Sequence, residues 1–255
     1  MKPAWHEVVA SLETSLARGS HGANGATTRS ANLVLTVNLQ SVVPTGLVVD
    51  SAGNGVLQPN ETGIMAPAWQ NTGTVPVTLT GAASNFAGPP GPVYTIPDGS
   101  ASYGTLGVAA QANCSTTGDC YSVLASAASR PGIHWDGTVS ETMTPTSAVK
   151  SWVLHIGDSF TDVLPASGFY RFVETILHKN VTGGCTTSAY CPADSTTREQ
   201  MAVFVLVSKE PPGYVPPACG ATPMFADVPV TSPFCRWVEE LANRGVASGC
   251  GGGNY

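Results

Sequence analysis

Phe160-Thr161-Asp162-Val163 and Phe225-Ala226-Asp227-Val228 open two copies of one unit, 65 residues apart. The offset holds without a gap from Phe160/Phe225 to Tyr190/Tyr255, and 12 of those 31 pairs are identical. Ser167/Ser232, Phe169/Phe234, Arg171/Arg236, Glu174/Glu239, Gly184/Gly249 and Cys185/Cys250 are among them. Such self-similarity marks a duplicated supersecondary unit that buries its apolar face against its neighbours. Within each copy Phe169, Phe172, Val173, Ile176 and Leu177, or Phe234, Trp237, Val238 and Leu241, recur at helical spacing. A Gly-rich turn follows at Gly183-Gly184 and at Gly249. Thr197-Arg198-Glu199-Gln200 then opens a second helix through Leu206, with Thr197 as N-cap and Gln200 at N3, the pattern of a capping box.

Five of the seven cysteines follow this plan. Cys185 and Cys191 flank the loop of the first copy. The offset places the partner of Cys250 one position beyond Tyr255, so Cys250 is expected to stand alone, as in a C-terminally truncated repeat. Cys219 and Cys235 have Leu154 and Tyr170 as their equivalents; both are absent together from the first copy, as expected of a bonded pair. In chain-entropy terms that bridge contributes about 3 kcal/mol and the shorter one roughly 2. No CxxC is present, so thiolate metal ligation or nucleophilic chemistry finds no support here.

The F-x-D-V start, the aromatic helix, the Gly-Cys turn and the Thr-Arg-x-Gln-Met-Ala-Val-Phe helix at 197–204 resemble the S-layer-homology (SLH) family. The cysteine-bearing form is similar to one at the C-termini of exported bacterial proteins. The resemblance spans 160–255 and implies repeats packed as a helical unit that binds cell-wall or surface polysaccharide. It implies a carbohydrate-contacting role for Thr197 and Arg198; the plainer reading of Arg198 is a solvated first-turn residue.

Upstream, short β-type runs alternate with turn clusters. Strands are expected at Leu33–Leu39, Thr45–Val49, Ile64–Gln70, Val75–Thr80, Val93–Ile96, Tyr103–Ala110, Tyr121–Ala125, Thr138–Met143 and Val149–Ile156. That spacing argues for an antiparallel β-sandwich of immunoglobulin-like type. Cys114 and Cys120 are close enough to close a hairpin tip. Asp50, Asn54, Gly55 and Glu61 match a calcium loop at its first, fifth, sixth and twelfth positions, although Ala52 stands where a third oxygen ligand belongs. Without an ion the same Asn-Gly segment reads as a hairpin turn.

His155-Ile156-Gly157-Asp158-Ser159 resembles the first block of GDS(L)-type esterases, in which the serine is the nucleophile. That chemistry needs an imidazole base oriented by a carboxylate, together with oxyanion donors. The family's D-x-x-H is missing: Thr175 stands three residues before His178. His155, His178, His134 and Asp136 are the residues that a composite site would have to draw on. The competing reading makes Gly157-Asp158-Ser159 the hinge between the two parts of the chain.

Composition frames these readings. Of the 255 residues only 11% are charged, with 28 Gly and 20 Pro, a mix suited to a turn-rich exported β-protein. A net charge of -6 excludes a basic nucleic-acid footprint, and it argues against docking on anionic lipid. No apolar run approaches the roughly 18 residues of a membrane span. Cysteine usage points to an oxidising compartment, although Met1-Lys2-Pro3-Ala4-Trp5-His6-Glu7 carries no export signal.

The expected chain is therefore mixed β + α. A flexible or non-native segment (1–31) precedes an immunoglobulin-like β-sandwich (32–157). Disulfide-stapled SLH-type repeats follow at 158–218 and, truncated, at 219–255. The expected function is non-catalytic tethering of a cell-surface protein to envelope polysaccharide. The alternatives are a secreted serine ester hydrolase built on Ser159, and a self-associating filament or coat subunit.

Overall fold

A computed structural model describes residues 38–50 and 53–255. The expectations for 1–31, the position of Ala52 and most of the Leu33–Leu39 run lie outside the described residues. Leu39 itself precedes the first strand.

The described strands are β1 (Val42–Val49), β2 (Thr62–Asn71), β3 (Val77–Ala87), β4 (Val93–Asp98), β5 (Ser100–Leu106), β6 (Gln111–Asn113), β7 (Tyr121–Ser126), β8 (Asp136–Thr144) and β9 (Val149–His155). One sheet runs β1-β2-β7-β4 with β6 added beside β2, and the other runs β5-β3-β8-β9. Every strand pairing is antiparallel. β5 stops at Leu106 rather than at Ala110, because the chain turns there: Ala110 N–H bonds back to Gly107 and Ala109 has φ +61°. The three-residue strand β6 is too short to show any periodicity in sequence.

Alternation along the strands builds the core. On β8 Val139, Glu141 and Met143 point inward while Thr138, Ser140 and Thr142 face the other way. They meet Trp69 and Met65 of β2, Tyr121 and Val123 of β7, and Leu79 of β3 in one buried cluster. Glu141, fully buried, takes four donors on its two oxygens. Trp69 Nε1–H (3.0 Å) and Trp152 Nε1–H (2.6 Å) reach Oε2, and Tyr103 (2.5 Å) and Tyr121 (2.7 Å) donate to Oε1. A carboxylate is an acceptor-only group with room for those donors, so its burial is hydrogen-bonded throughout. Gly81 lines this spot. A Cβ there would stand 2.0 Å from the Tyr121 hydroxyl.

Three helices follow: α1 (Tyr170–His178), α2 (Arg198–Lys209) and α3 (Cys235–Asn243). α2 has the full capping box, with Gln200 N–H donating to Thr197 Oγ1 and Thr197 N–H to Gln200 Oε1. Contacts recur at the 65-residue offset. Phe160 packs on Tyr190 with ring centroids 5.5 Å apart, and Phe225 on Tyr255 at 5.3 Å. Asp162 accepts from Tyr190 N–H as Asp227 does from Tyr255 N–H, each at 2.8 Å. Gly184 and Gly249 both have φ +80°, and a Cβ on either would strike the ring of Phe160 or Phe225. Only glycine satisfies both demands.

Two apolar clusters divide the helical part. One joins Phe160, Val163, Tyr170, Val173 and Leu177 to Val56 from the loop between β1 and β2. The other joins Ala202 and Leu206 of α2 to Val238 and Leu241 of α3, with Phe225 and Tyr255. Disulfides link Cys114–Cys120, Cys185–Cys191 and Cys219–Cys235, and Cys250 is free and exposed. The chain is thus mainly antiparallel sheet with a few short helices and disulfides, a mixed β + α fold. Three disulfides accord with an oxidising, extracellular setting. Among the described residues no helix is long and apolar enough to cross a membrane.

Candidate functional site

The residues that carry the most chemistry meet where β8, β9 and α1 come together. Asp136 and His155 are register partners across β8 and β9, so their side chains leave the sheet side by side. α1 contributes Glu174 and His178, four apart and therefore on one helix face. Ser159 lies in the link between β9 and α1. That link is held tightly. Asp158, at φ +62°, donates its N–H to the Tyr170 hydroxyl at 2.6 Å, and a Cβ on Gly157 would meet the same hydroxyl at 2.6 Å.

His155 is clamped between two carboxylates. Its Nδ1 is 2.8 Å from Asp136 Oδ1 and its Nε2 is 2.8 Å from Glu174 Oε2. Burial works against charge on this imidazole, but the hydrogen bonds to Asp136 and Glu174 and their charges outweigh it, and the pKa rises. Burial likewise opposes ionisation of Glu174 and Asp136. Hydrogen bonds from His155 and Ser159 hold Glu174 low, and those from His155 and His178 hold Asp136 low. His134, unlike His155, is shifted down, because burial outweighs its acidic neighbour Asp136. No hydrogen bond ties it to the cluster among the described contacts.

Ser159 sits inside this network. Its hydroxyl is 2.7 Å from Glu174 Oε2 and 3.0 Å from the donating Nη2 of Arg130, but 3.5 Å from His155 Nε2. Arg130 also donates to the carbonyls of Ile133, Ile156 and Gly157. Asp136, His155 and Ser159 therefore stand in the order of an acid, a base and a nucleophile. Glu174, however, lies closer to both His155 and Ser159 than they lie to each other. With a carboxylate 2.8 Å from each nitrogen, this imidazole is engaged on both sides, and the partner of its Nε2 is Glu174 rather than Ser159. With 6% exposure, Ser159 has little surface to offer an ester. The arrangement works as a charge-assisted latch between sandwich and helix.

The remaining candidates lie apart from this cluster. Thr197 and Arg198 are exposed at the start of α2, where the Arg198 guanidinium lies 4.9 Å from the centre of the Tyr255 ring. In the calcium-like loop, Asp50 Oδ2 accepts from Asn54 N–H (2.9 Å), Asn54 Oδ1 from Val56 N–H (3.1 Å) and Glu61 Oε2 from Gln58 N–H (3.0 Å). One oxygen of each of these three side chains closes a local turn. Among the described residues two groups gather three metal-ligating side chains: Asp136 with His155 and His178, and Cys219 with Cys235 and Glu239. In the second group the sulfurs are bonded to each other.

Sequence reasoning named Ser159, His155, His178 and Asp136 and missed Arg130 and the part played by Glu174. For Glu174 a signal existed in its identity with Glu239 across the repeat. Arg130 comes from the loop before β8 and has no motif to announce it. No protein-family model and no curated protein sequence matches the chain.

Proposed function

We propose that the chain is a non-catalytic module of the bacterial cell surface. SLH-type repeats would tether its parent protein to envelope polysaccharide, and the immunoglobulin-like β-sandwich would serve as spacer or binding domain. The observation that carries this reading is the duplicated unit, with the same aromatic pair, aspartate-to-backbone hydrogen bond and glycine turn at both copies. It is supported by the exposed Thr197-Arg198 step, whose guanidinium lies over the Tyr255 ring, 4.9 Å from its centre, in a position to take a hydroxyl or an acidic sugar group. Co-sedimentation with purified envelope polysaccharide tests it. Binding that falls about tenfold in Arg198→Ala, a loss of roughly 1.4 kcal/mol, supports the tether; absence of binding to any envelope fraction sinks it.

A second reading, hydrolysis at Ser159, draws on the Asp136–His155–Ser159 alignment. Turnover of p-nitrophenyl acetate that disappears in Ser159→Ala would establish it over the first. The latch geometry favours no turnover in either protein. A third reading, self-association into a filament or coat, draws on the exposed rings of Phe169 and Phe172. Light scattering that rises with protein concentration would support it.

A further inference from the structure

We propose that Asp136, His155 and His178 form a binding site for a zinc ion at the junction of β8, β9 and α1. The three side chains each offer one ligand atom, and these atoms lie within 4.8 Å of one another. Both imidazoles present the same nitrogen to the same oxygen: His155 Nδ1 is 2.8 Å and His178 Nδ1 3.1 Å from Asp136 Oδ1. Zinc bonds of about 2.0–2.1 Å in a tetrahedral shell need ligand atoms roughly 3.3 Å apart. The two N–O distances have to open by about 0.2–0.5 Å, and the two imidazole nitrogens, which lie within 4.8 Å of each other, have to settle to the same spacing. The ion then takes the place of the protons that join each imidazole to the carboxylate.

What lies behind the ligands supports the assignment. His155 Nε2–H points at Glu174 Oε2, 2.8 Å away, which fixes the plane of the ring and leaves Nδ1, the nitrogen that faces Asp136, to bind the ion once its proton is displaced. A carboxylate on the far nitrogen of a metal-bound histidine is the usual orienting partner in zinc sites. Glu174 is fixed in turn by Ser159, through its N–H at 2.9 Å and its hydroxyl. This gives the Gly-Asp-Ser segment a positioning role that the hydrolase reading did not provide. Asp136 and His155 are held by strand pairing and His178 by the last turn of α1, so the ligands stand on rigid elements.

Access and selectivity follow from the surroundings. The side chains of Asp136 and His178 keep 34% and 22% of their exposure, and a cleft of about 210 Å³ reaches His155 and His178. Two imidazoles and one carboxylate suit zinc and similar transition ions. Calcium and magnesium prefer all-oxygen shells. Three protein ligands leave the fourth position to water.

Isothermal titration of zinc into the whole 255-residue chain, stripped with EDTA and carrying Cys250→Ser to remove the exposed thiol, tests the site. One equivalent should bind, and His178→Gln and Asp136→Asn should each weaken binding by at least about tenfold while circular dichroism reports an unchanged fold. Cobalt in place of zinc should give visible bands without a thiolate charge-transfer feature. Calcium and magnesium in excess should not compete. No zinc uptake by the Cys250→Ser protein, or an affinity unchanged from that protein in both ligand variants, overturns the proposal. The polysaccharide reading is untouched by either result.

Discussion

The Glu174 carboxylate accepts the backbone N–H of Ser159 at 2.9 Å, through Oε1. Its counterpart Glu239 accepts Met224 N–H at the same 2.9 Å, again through Oε1. Residues 159 and 224 are 65 apart, so the bond belongs to the duplicated unit and a methionine occupies the serine position in the second copy. The glutamate is a structural tie that pins the incoming chain to the helix. At the first copy alone it also meets a histidine from the sandwich, His155.

Removing that tie should loosen the junction. Glu174 is buried, and Glu174→Ala strands both the His155 imidazole and the Arg130-linked serine without their acceptor. Breaking a buried pair from one side costs about 3–5 kcal/mol. Ser159→Ala, which removes one hydroxyl, should cost about 1 kcal/mol. Urea unfolding would rank the two, and equal midpoints would refute the assignment of the load to Glu174.

Glu141 should be the least replaceable polar residue of the sandwich. Glu141→Gln puts an amide NH2 among four donors and leaves at least one of them facing another donor. A loss of about 2–4 kcal/mol is expected, read as a fall in calorimetric Tm. A change below about 0.5 kcal/mol would mean that the donors re-pair elsewhere.

Alkali should unfold the protein earlier than its hydrophobic core suggests. Burial first, then the charge of Glu141, pushes the Tyr103 and Tyr121 phenols well above 10.0; burial and Glu174 do the same for Tyr170. Below pH 10 these phenols are protonated in both states and the folded form keeps its full stability. Above it the unfolded chain loses protons that the folded chain retains, so stability falls as pH rises. Denaturant midpoints measured between about pH 9 and pH 11 should drop steadily, together with phenolate absorbance that appears only on unfolding. Phenolate absorbance that rises while the protein stays folded would contradict it.

Reduction should act unevenly. The Cys219–Cys235 bridge spans 16 residues and anchors the first turn of α3, so its loss is worth about 3 kcal/mol in chain entropy. The cluster of α2 and α3 should therefore melt first in Cys219→Ser/Cys235→Ser, while the sandwich, which keeps its own bridge and core, holds. Amide exchange resolved by segment would show the order, and simultaneous exposure of both clusters would rule it out.

Much of this molecule was legible in its residues. Eight runs of alternating or β-branched residues correspond to β1–β5 and β7–β9, because each had enough length for a period of two to show. The alternation in β3 ends at Thr80 although the strand continues to Ala87, since Gly81-Ala82-Ala83-Ser84-Asn85 carries no apolar alternation. All three helices lay where the aromatic period and the Thr197 capping box put them. The candidate site was legible only as a set of names. His155, Ser159, His178 and Asp136 were singled out, but nothing local in the chain brings Asp136 to His178, 42 residues away, or inserts Glu174 between His155 and Ser159.

By itself the sequence determined the periodic, local and duplicated features: strands of period two, helices with their caps, glycine turns that repeat, and cysteines spaced to pair. These depend on neighbours a few residues apart, and so they are written in order along the chain. Only the tertiary structure decided that Glu141 is the polar centre of the sandwich and that the Gly-Asp-Ser segment ends in a latch. Both depend on which side chains from distant elements share a buried volume. There, hydrogen-bond distance and desolvation settle the state of every group, and the spacing of residues in sequence carries no record of either.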